Sequence, residues 1–237
     1  MNLDGKRAIV LGGTSGIGLA TVRQLVAAGA RVLAGSRSQE HVAAAAAEVP
    51  GAQFISIDVL DRAALEALFA HHAGFDVLVN CATGGERASG PFLNMDLDAF
   101  QGSFRKLWGY ANSVRLGTPQ MATDGAIVLV SGFPARKASP GVSALATVGG
   151  GVEAFARAVA LEIAPRRLNV VSPGIIDTPM TGGTPEERAE RLARSTQRLP
   201  IPRPGTADEV ADAILFLLRN DYLTGATVDV DGGALLP

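Results

Sequence analysis

Seven short runs rich in β-branched and other apolar residues, separated by Ala- and Leu-rich stretches of helical length, constrain this fold most. They are RAIVL (7–11), RVLA (31–34), QFISI (53–57), FDVLVN (75–80), AIVLVS (126–131), LNVVS (168–172) and ATVDV (226–230). The stretches between them, 17–28, 39–48, 61–72, 96–116, 143–164 and 206–218, place apolar residues mostly at helical spacing. Strands that are apolar on both faces must be covered on both faces. Strand–helix alternation therefore predicts an α/β fold, a doubly wound seven-stranded parallel sheet with helices on both sides. At 237 residues, 47% hydrophobic and 19% charged, the chain is expected to form one domain over 1–237. One Gly/Pro-rich excursion with a short charged helix, about 174–206, follows the sixth run, where such a sheet places a substrate lid.

Composition excludes several function classes. A net charge of −2 with scattered basic residues argues against a nucleic-acid partner. The N-terminus has too short an apolar stretch for a secretory signal, and no uninterrupted apolar run reaches roughly 18 residues, so no membrane partner and a cytoplasmic location are expected. Cys81 is the only cysteine, which rules out an intrachain disulfide. A small buried filler is its simplest role, although its place beside Asn80 leaves a reactive thiol open. His41, His71 and His72 fall on helical stretches as solvated residues, and no cluster has the spacing of a metal site.

The first run ends in VLGGTSGIGLA, with Gly12, Gly16 and Gly18 between a strand and a helix. Glycine lets the backbone approach a pyrophosphate closely, and the N-terminus of the helix offers free N–H groups to it. Strand–turn–helix context makes this a candidate phosphate cradle, including Thr14, Ser15 and Ile17.

Together with NCAT at 80–83, SPGIIDTPM at 172–180 and YLTGATVDVDGG at 222–233, these glycines resemble the short-chain dehydrogenase/reductase family over nearly the whole chain. The resemblance implies a single-domain Rossmann fold and a nicotinamide dinucleotide site. It adds Asp58, Val59, Asn80, Ala82, Pro173, Gly174, Ile176 and Thr178 to the cofactor-binding residues. It also implies a homodimer or homotetramer built through the helices at 96–116 and 143–164.

Charge at the end of the second strand selects the dinucleotide. An NAD site carries Asp or Glu there, about 20 residues beyond the glycines, for the ribose hydroxyls. Here Ser36 and Arg37 occupy that place, and no acidic residue occurs between Asp4 and Glu40. A guanidinium in place of a carboxylate suits a 2′-phosphate, so NADP(H) is expected.

The family's acid–base group is Asn, Ser and Tyr-x-x-x-Lys. Alignment on AVALEIAP (158–165) puts Leu145 at the Tyr and Gly149 at the Lys; the Ser falls on Gly132 beside Ser131, and the Asn on Lys106. No register shift restores the motif, because the only tyrosines are Tyr110 and Tyr222 and the only lysines Lys6, Lys106 and Lys137. Gly149, Gly150 and Gly151 lie within a helical stretch, where each costs about 1 kcal/mol relative to Ala. Such a run is expected where something packs closely.

Three readings follow. The chain is a reductase of a carbonyl, enone or imine with Ser131, Lys106 or Tyr110 as substitute donor, where the lost general acid is worth about 10²–10⁴-fold. Alternatively it is a non-catalytic NADP(H)-binding sensor or inactive partner subunit, or it performs another reaction on the same scaffold. Arg136, Lys137 and Ser143 border the pocket in the family layout. Ile175, Ile176, Met180 and Leu192 in the lid point to an apolar small-molecule substrate.

Overall fold

The computed structural model describes residues 1–85 and 87–237. Its main sheet is built from β1 (Arg7–Leu11), β2 (Arg31–Ser36), β3 (Gln53–Ser56), β4 (Phe75–Asn80), β5 (Met121–Val130), β6 (Arg167–Pro173) and β9 (Thr227–Val230). All pair in parallel in the order β3-β2-β1-β4-β5-β6-β9. These are the seven runs expected from the sequence, with β5 extended back to Met121 and β2 forward to Ser36. A second, two-stranded sheet of β7 (Ile176–Asp177) and β8 (Gly205–Thr206) frames the excursion after β6, beyond the seven strands that the sequence predicts.

The helices are α1 (Gly16–Ala27), α2 (Gln39–Glu48), α3 (Arg62–His71), α4 (Leu97–Ser103), α5 (Arg105–Gly117), α6 (Ser143–Glu162), α7 (Pro185–Thr196) and α8 (Ala207–Arg219). One face of the sheet buries Val10, Val79 and Val128 with Val22 and Leu25 of α1 and Ile214, Leu217 and Leu218 of α8. The other buries Ile9, Leu78, Ile127 and Leu129 with Leu65 and Phe69 of α3, Tyr110 and Val114 of α5, and Val152 and Ala156 of α6. Each fully buried Leu, Ile or Val contributes about 1.5–3 kcal/mol, so the doubled core supplies the main driving force.

The single helix expected at 96–116 is two helices meeting at Phe104. Ser103 Oγ donates back to the Ala99 carbonyl at 3.0 Å and accepts from Ala88 N–H at 2.9 Å. A serine hydroxyl competing for a helical carbonyl bends the helix, and the neighbouring Gly102 offers little resistance. The α6 helix is long and apolar enough to cross a membrane by length and composition. Here it packs on the sheet, burying Ala144, Val148, Val152, Ala156 and Ala160. Its glycines divide by environment. A Cβ on Gly149 would stand 3.1 Å from Ala135 Cβ, one on Gly151 would meet Leu107 at 3.2 Å, and one on Gly150 would meet nothing within 4 Å.

β1 is flanked by β2 on one side and β4 on the other, so the chain reverses its winding direction there. Loops after β1 and β4 leave the carboxyl edge in opposite directions and open a crevice, the general location of ligand sites in such sheets.

Candidate cofactor and active site

A cavity of about 800 Å³ occupies this crevice. Its first end is the β1–α1 turn, lined by Gly12, Thr14, Ser15, Gly16, Ile17 and Gly18. Gly12 has φ +76°, and a Cβ there would lie 2.6 Å from the Ala82 amide nitrogen; a Cβ on Gly18 would lie 2.0 Å from the Gly12 carbonyl oxygen. Side chains at these two positions would fill the turn. Ser15 precedes α1 without capping it, and the first turn of the helix holds no acidic residue. By contrast α2, α3, α4, α7 and α8 each receive a side-chain cap, from Ser38, Asp61, Asp96, Thr184 and Thr206. The uncapped positive end of α1 and its glycine cradle fit the phosphates of a dinucleotide.

Ser36, Arg37, Ser38 and His41 line the far edge, and Thr14 Oγ1 donates to Ser36 Oγ at 2.8 Å. No Asp or Glu is among the described lining residues. Val59, Ala82, Pro173, Gly174, Ile176 and Thr178 also line the cavity, so 14 of the 16 cofactor residues expected from sequence meet there. Asp58 and Asn80 do not line it. The Asp58 carboxylate accepts from Leu60 N–H at 2.9 Å. Asn80 is fully buried, donating to Ser113 Oγ at 2.8 Å and accepting from Ala82 N–H at 2.9 Å. Its side chain shapes the β4 loop from beneath. Gly174 touches Asp231, where a Cβ would stand 2.6 Å from Asp231 Cα, holding the β6 turn against the C-terminal segment.

At the other end Lys106, Ser131, Gly132, Leu145 and Gly149 all reach the cavity. Lys106 Nζ donates to the Ser131 carbonyl at 3.2 Å and lies 5.6 Å from the Tyr110 ring centroid. Burial first, then the Arg87 guanidinium, bring the Lys106 ammonium down to about 8, against a smaller opposing pull from Cys81. Desolvation pushes the Cys81 thiol up to about 12, which keeps it protonated and a poor nucleophile. Ser131 is 9% exposed, and its hydroxyl donates to Glu153 Oε1 at 3.0 Å. Glu153 Oε2 is 3.4 Å from Arg136 Nε, and Arg136 also pairs with Asp229.

Tyr110 lies outside the cavity. It is 0% exposed, its hydroxyl donates to the Val130 carbonyl at 3.1 Å, and burial raises its pKa well above the ordinary phenol value. Arg136, Lys137 and Ser143 do not line the cavity either: Lys137 donates to Ala234 O at 2.5 Å, and Ser143 faces Met95 Sδ at 4.0 Å. Of the apolar lid residues, Ile176 and Met180 reach it, whereas Leu192 is on the buried face of α7 and Ile175 is absent from the wall. Arg87, which belongs to no motif in the sequence, also lines it. Its only sequence signal is proximity to NCAT at 80–83.

A family model for enoyl-(acyl carrier protein) reductase matches residues 12–234. The L-xylulose reductase of Mesocricetus auratus is 34% identical, with 100% of this chain and 99% of that protein covered. A short-chain dehydrogenase/reductase family protein of known structure has a TM-score of 0.87 at 33% identity, covering 99% of each chain. An NADPH-bound short-chain oxidoreductase from Pseudomonas aeruginosa PAO1, which contains an atypical catalytic center, has a TM-score of 0.87 at 32% identity over 98% of each chain. The protein is an oxidoreductase of the Rossmann type in fold and site. It belongs to the short-chain dehydrogenase/reductase family.

Proposed function

We propose that this chain is an NADP(H)-dependent reductase of a small carbonyl, enone or imine whose proton donor is Lys106 in place of the family's Tyr-x-x-x-Lys pair. One observation carries the reading: a single cavity connects the glycine cradle and Arg37 to the Lys106 ammonium. Arg37 beside Ser36, with no carboxylate among the described lining residues, suits the 2′-phosphate, and the NADPH-bound relative agrees. When bound, NADPH supplies the hydride.

Lys106 does the remaining work. A group near the working pH is suited to general acid catalysis, and Lys106 sits at about 8. The Ser131 carbonyl uses one of its three N–H bonds, which orients the ammonium and leaves two for a substrate oxygen or nitrogen. The ammonium gives its proton to that atom and regains one from water. Ser131 and Tyr110 are positioning residues in this scheme, since their hydroxyl protons are directed at Glu153 and Val130 O. Leu145 and Gly149, at the places of the missing Tyr and Lys, supply wall and no proton.

Those same two residues favour a second reading, a non-catalytic NADP(H)-binding sensor or partner subunit. Fluorescence titration with NADPH followed by oxidation assays on ketones, quinones, enones and imines separates the two. Binding with turnover that Lys106→Met lowers by about 10²–10⁴-fold supports the reductase; binding without turnover supports the sensor. A homo-oligomer through α5 and α6 belongs to the same proposal, and the exposed Trp108 and Leu161 on those helices support it.

A further inference from the structure

Two cations face the substrate end of the cavity, and no carboxylate does among its described lining residues. Lys106 enters from α5 and Arg87 from the loop between β4 and α4. Neither forms an ion pair with a described residue, although ion pairs are common elsewhere on the molecule. The loop that carries Arg87 is held in place. Gly84 packs so closely on the start of α5 that a Cβ would stand 2.6 Å from the Arg105 carbonyl carbon, and Ala88 N–H donates to Ser103 Oγ at 2.9 Å. Ser103 is itself part of the cavity wall. The backbone is thus held at Gly84 before Arg87 and at Ala88 after it.

Arg87 is exposed at the cavity mouth and Lys106 lies deeper, and the nearby guanidinium adds to the burial that lowers the proton affinity of Lys106. Burial likewise pulls Arg87 down. An anion between or beside the two groups relieves both penalties, and a planar guanidinium is matched to a carboxylate by two parallel hydrogen bonds. The cavity wall also carries Phe133, Pro134, Leu145 and Met180, with Thr83, Ser103 and Ser131 among its neutral polar groups. The pocket therefore suits a small body with one anionic end.

We infer that the substrate is an oxo acid, a small carbonyl compound bearing a carboxylate, whose carboxylate is held by Arg87 while its carbonyl oxygen faces Lys106. This rests on the reductase reading for the carbonyl and on the cavity alone for the carboxylate. The reaction balances as that reading requires: the carbonyl carbon gains a hydride, its oxygen gains the Lys106 proton, and a hydroxy acid leaves. Arg87 transfers nothing and confers specificity.

The test is isothermal titration calorimetry of the full chain, with and without saturating NADP⁺. The probes are pyruvate, acetoacetate and levulinate, each paired with its methyl ester, and NADPH oxidation is assayed separately for all six. At least one acid is expected to bind about tenfold to hundredfold tighter than its ester. Arg87→Gln should erase the preference and Arg87→Lys should keep part of it, with unchanged thermal melts for both. Esters binding as tightly as acids, a preference that survives Arg87→Gln, or no acid binding would each overturn the inference. Arg87-dependent acid binding without NADPH consumption would uphold it and sink the reductase reading. Ester turnover without acid preference would do the reverse.

Discussion

The Lys106 ammonium donates to the Ser131 carbonyl oxygen across 3.2 Å, tying α5 to the end of β5 at the wall of the cavity. The Ser131 hydroxyl points elsewhere, to Glu153. One residue thereby orients the Lys106 ammonium with its backbone and anchors itself with its side chain.

Lys106 must be protonated to act as an acid, and its ammonium titrates at about 8. The reduction rate, as kcat/KM, should be flat below that pH and fall tenfold per unit above it. Lys106→Met should lower the rate by about 10²–10⁴-fold and remove the limb; a limb that persists in the variant assigns the proton to another group. The same lowered value has a stability consequence. Between about 8 and the ordinary 10.5 the unfolded chain holds more protons than the folded one, so this group's contribution makes the fold more stable as pH rises through that window. Urea melts of wild type and Lys106→Met across the window measure it.

Ser131→Ala should destabilise the fold by about 1–3 kcal/mol, because it leaves one oxygen of the buried Glu153 carboxylate without its donor. Activity should fall less than tenfold when corrected for folded protein. A loss of 10³-fold or more with unchanged melting would instead make the hydroxyl a reacting group.

Arg37→Ala should weaken NADPH binding by about tenfold to hundredfold, the worth of a charge-assisted hydrogen bond, and leave NADH binding nearly unchanged. Fluorescence titration with both cofactors reads the ratio. Equal losses for the two would place Arg37 away from the 2′-phosphate.

The glycines of α6 and α1 should respond differently to alanine. Gly150→Ala meets open space inside a helix and should stabilise by about 0.5–1 kcal/mol. Gly149→Ala must push Ala135 aside, which offsets that gain. Gly18→Ala drives a methyl to within 2.0 Å of the Gly12 carbonyl oxygen and should abolish NADPH binding, lower the melting temperature, or both. Chemical denaturation of the three variants orders them.

Strand–helix alternation, with strands apolar on both faces, sufficed to determine the doubly wound sheet, because only covered parallel strands can bury such runs. The cradle was equally legible, because the spacing of Gly12, Gly16 and Gly18 between a strand and a helix is a local signal; what a Cβ at Gly12 or Gly16 would meet, Ala82 or Thr178, came only with the fold. The absence of Tyr-x-x-x-Lys was also complete in the sequence. Side-chain direction was not. Lys106 and Tyr110, four apart on one helix, share a face by periodicity, yet one reaches the cavity and the other is sealed under β5 by its bond to Val130. The break at Phe104 and the turning of Asn80 into the core depend on Ser103 and Ser113, partners supplied by packing. Arg87 had no motif to mark it. A loop residue acquires its place from the elements it crosses, so only the tertiary structure could set Arg87 and Lys106 on one cavity, where burial of Lys106 gives its charge consequence.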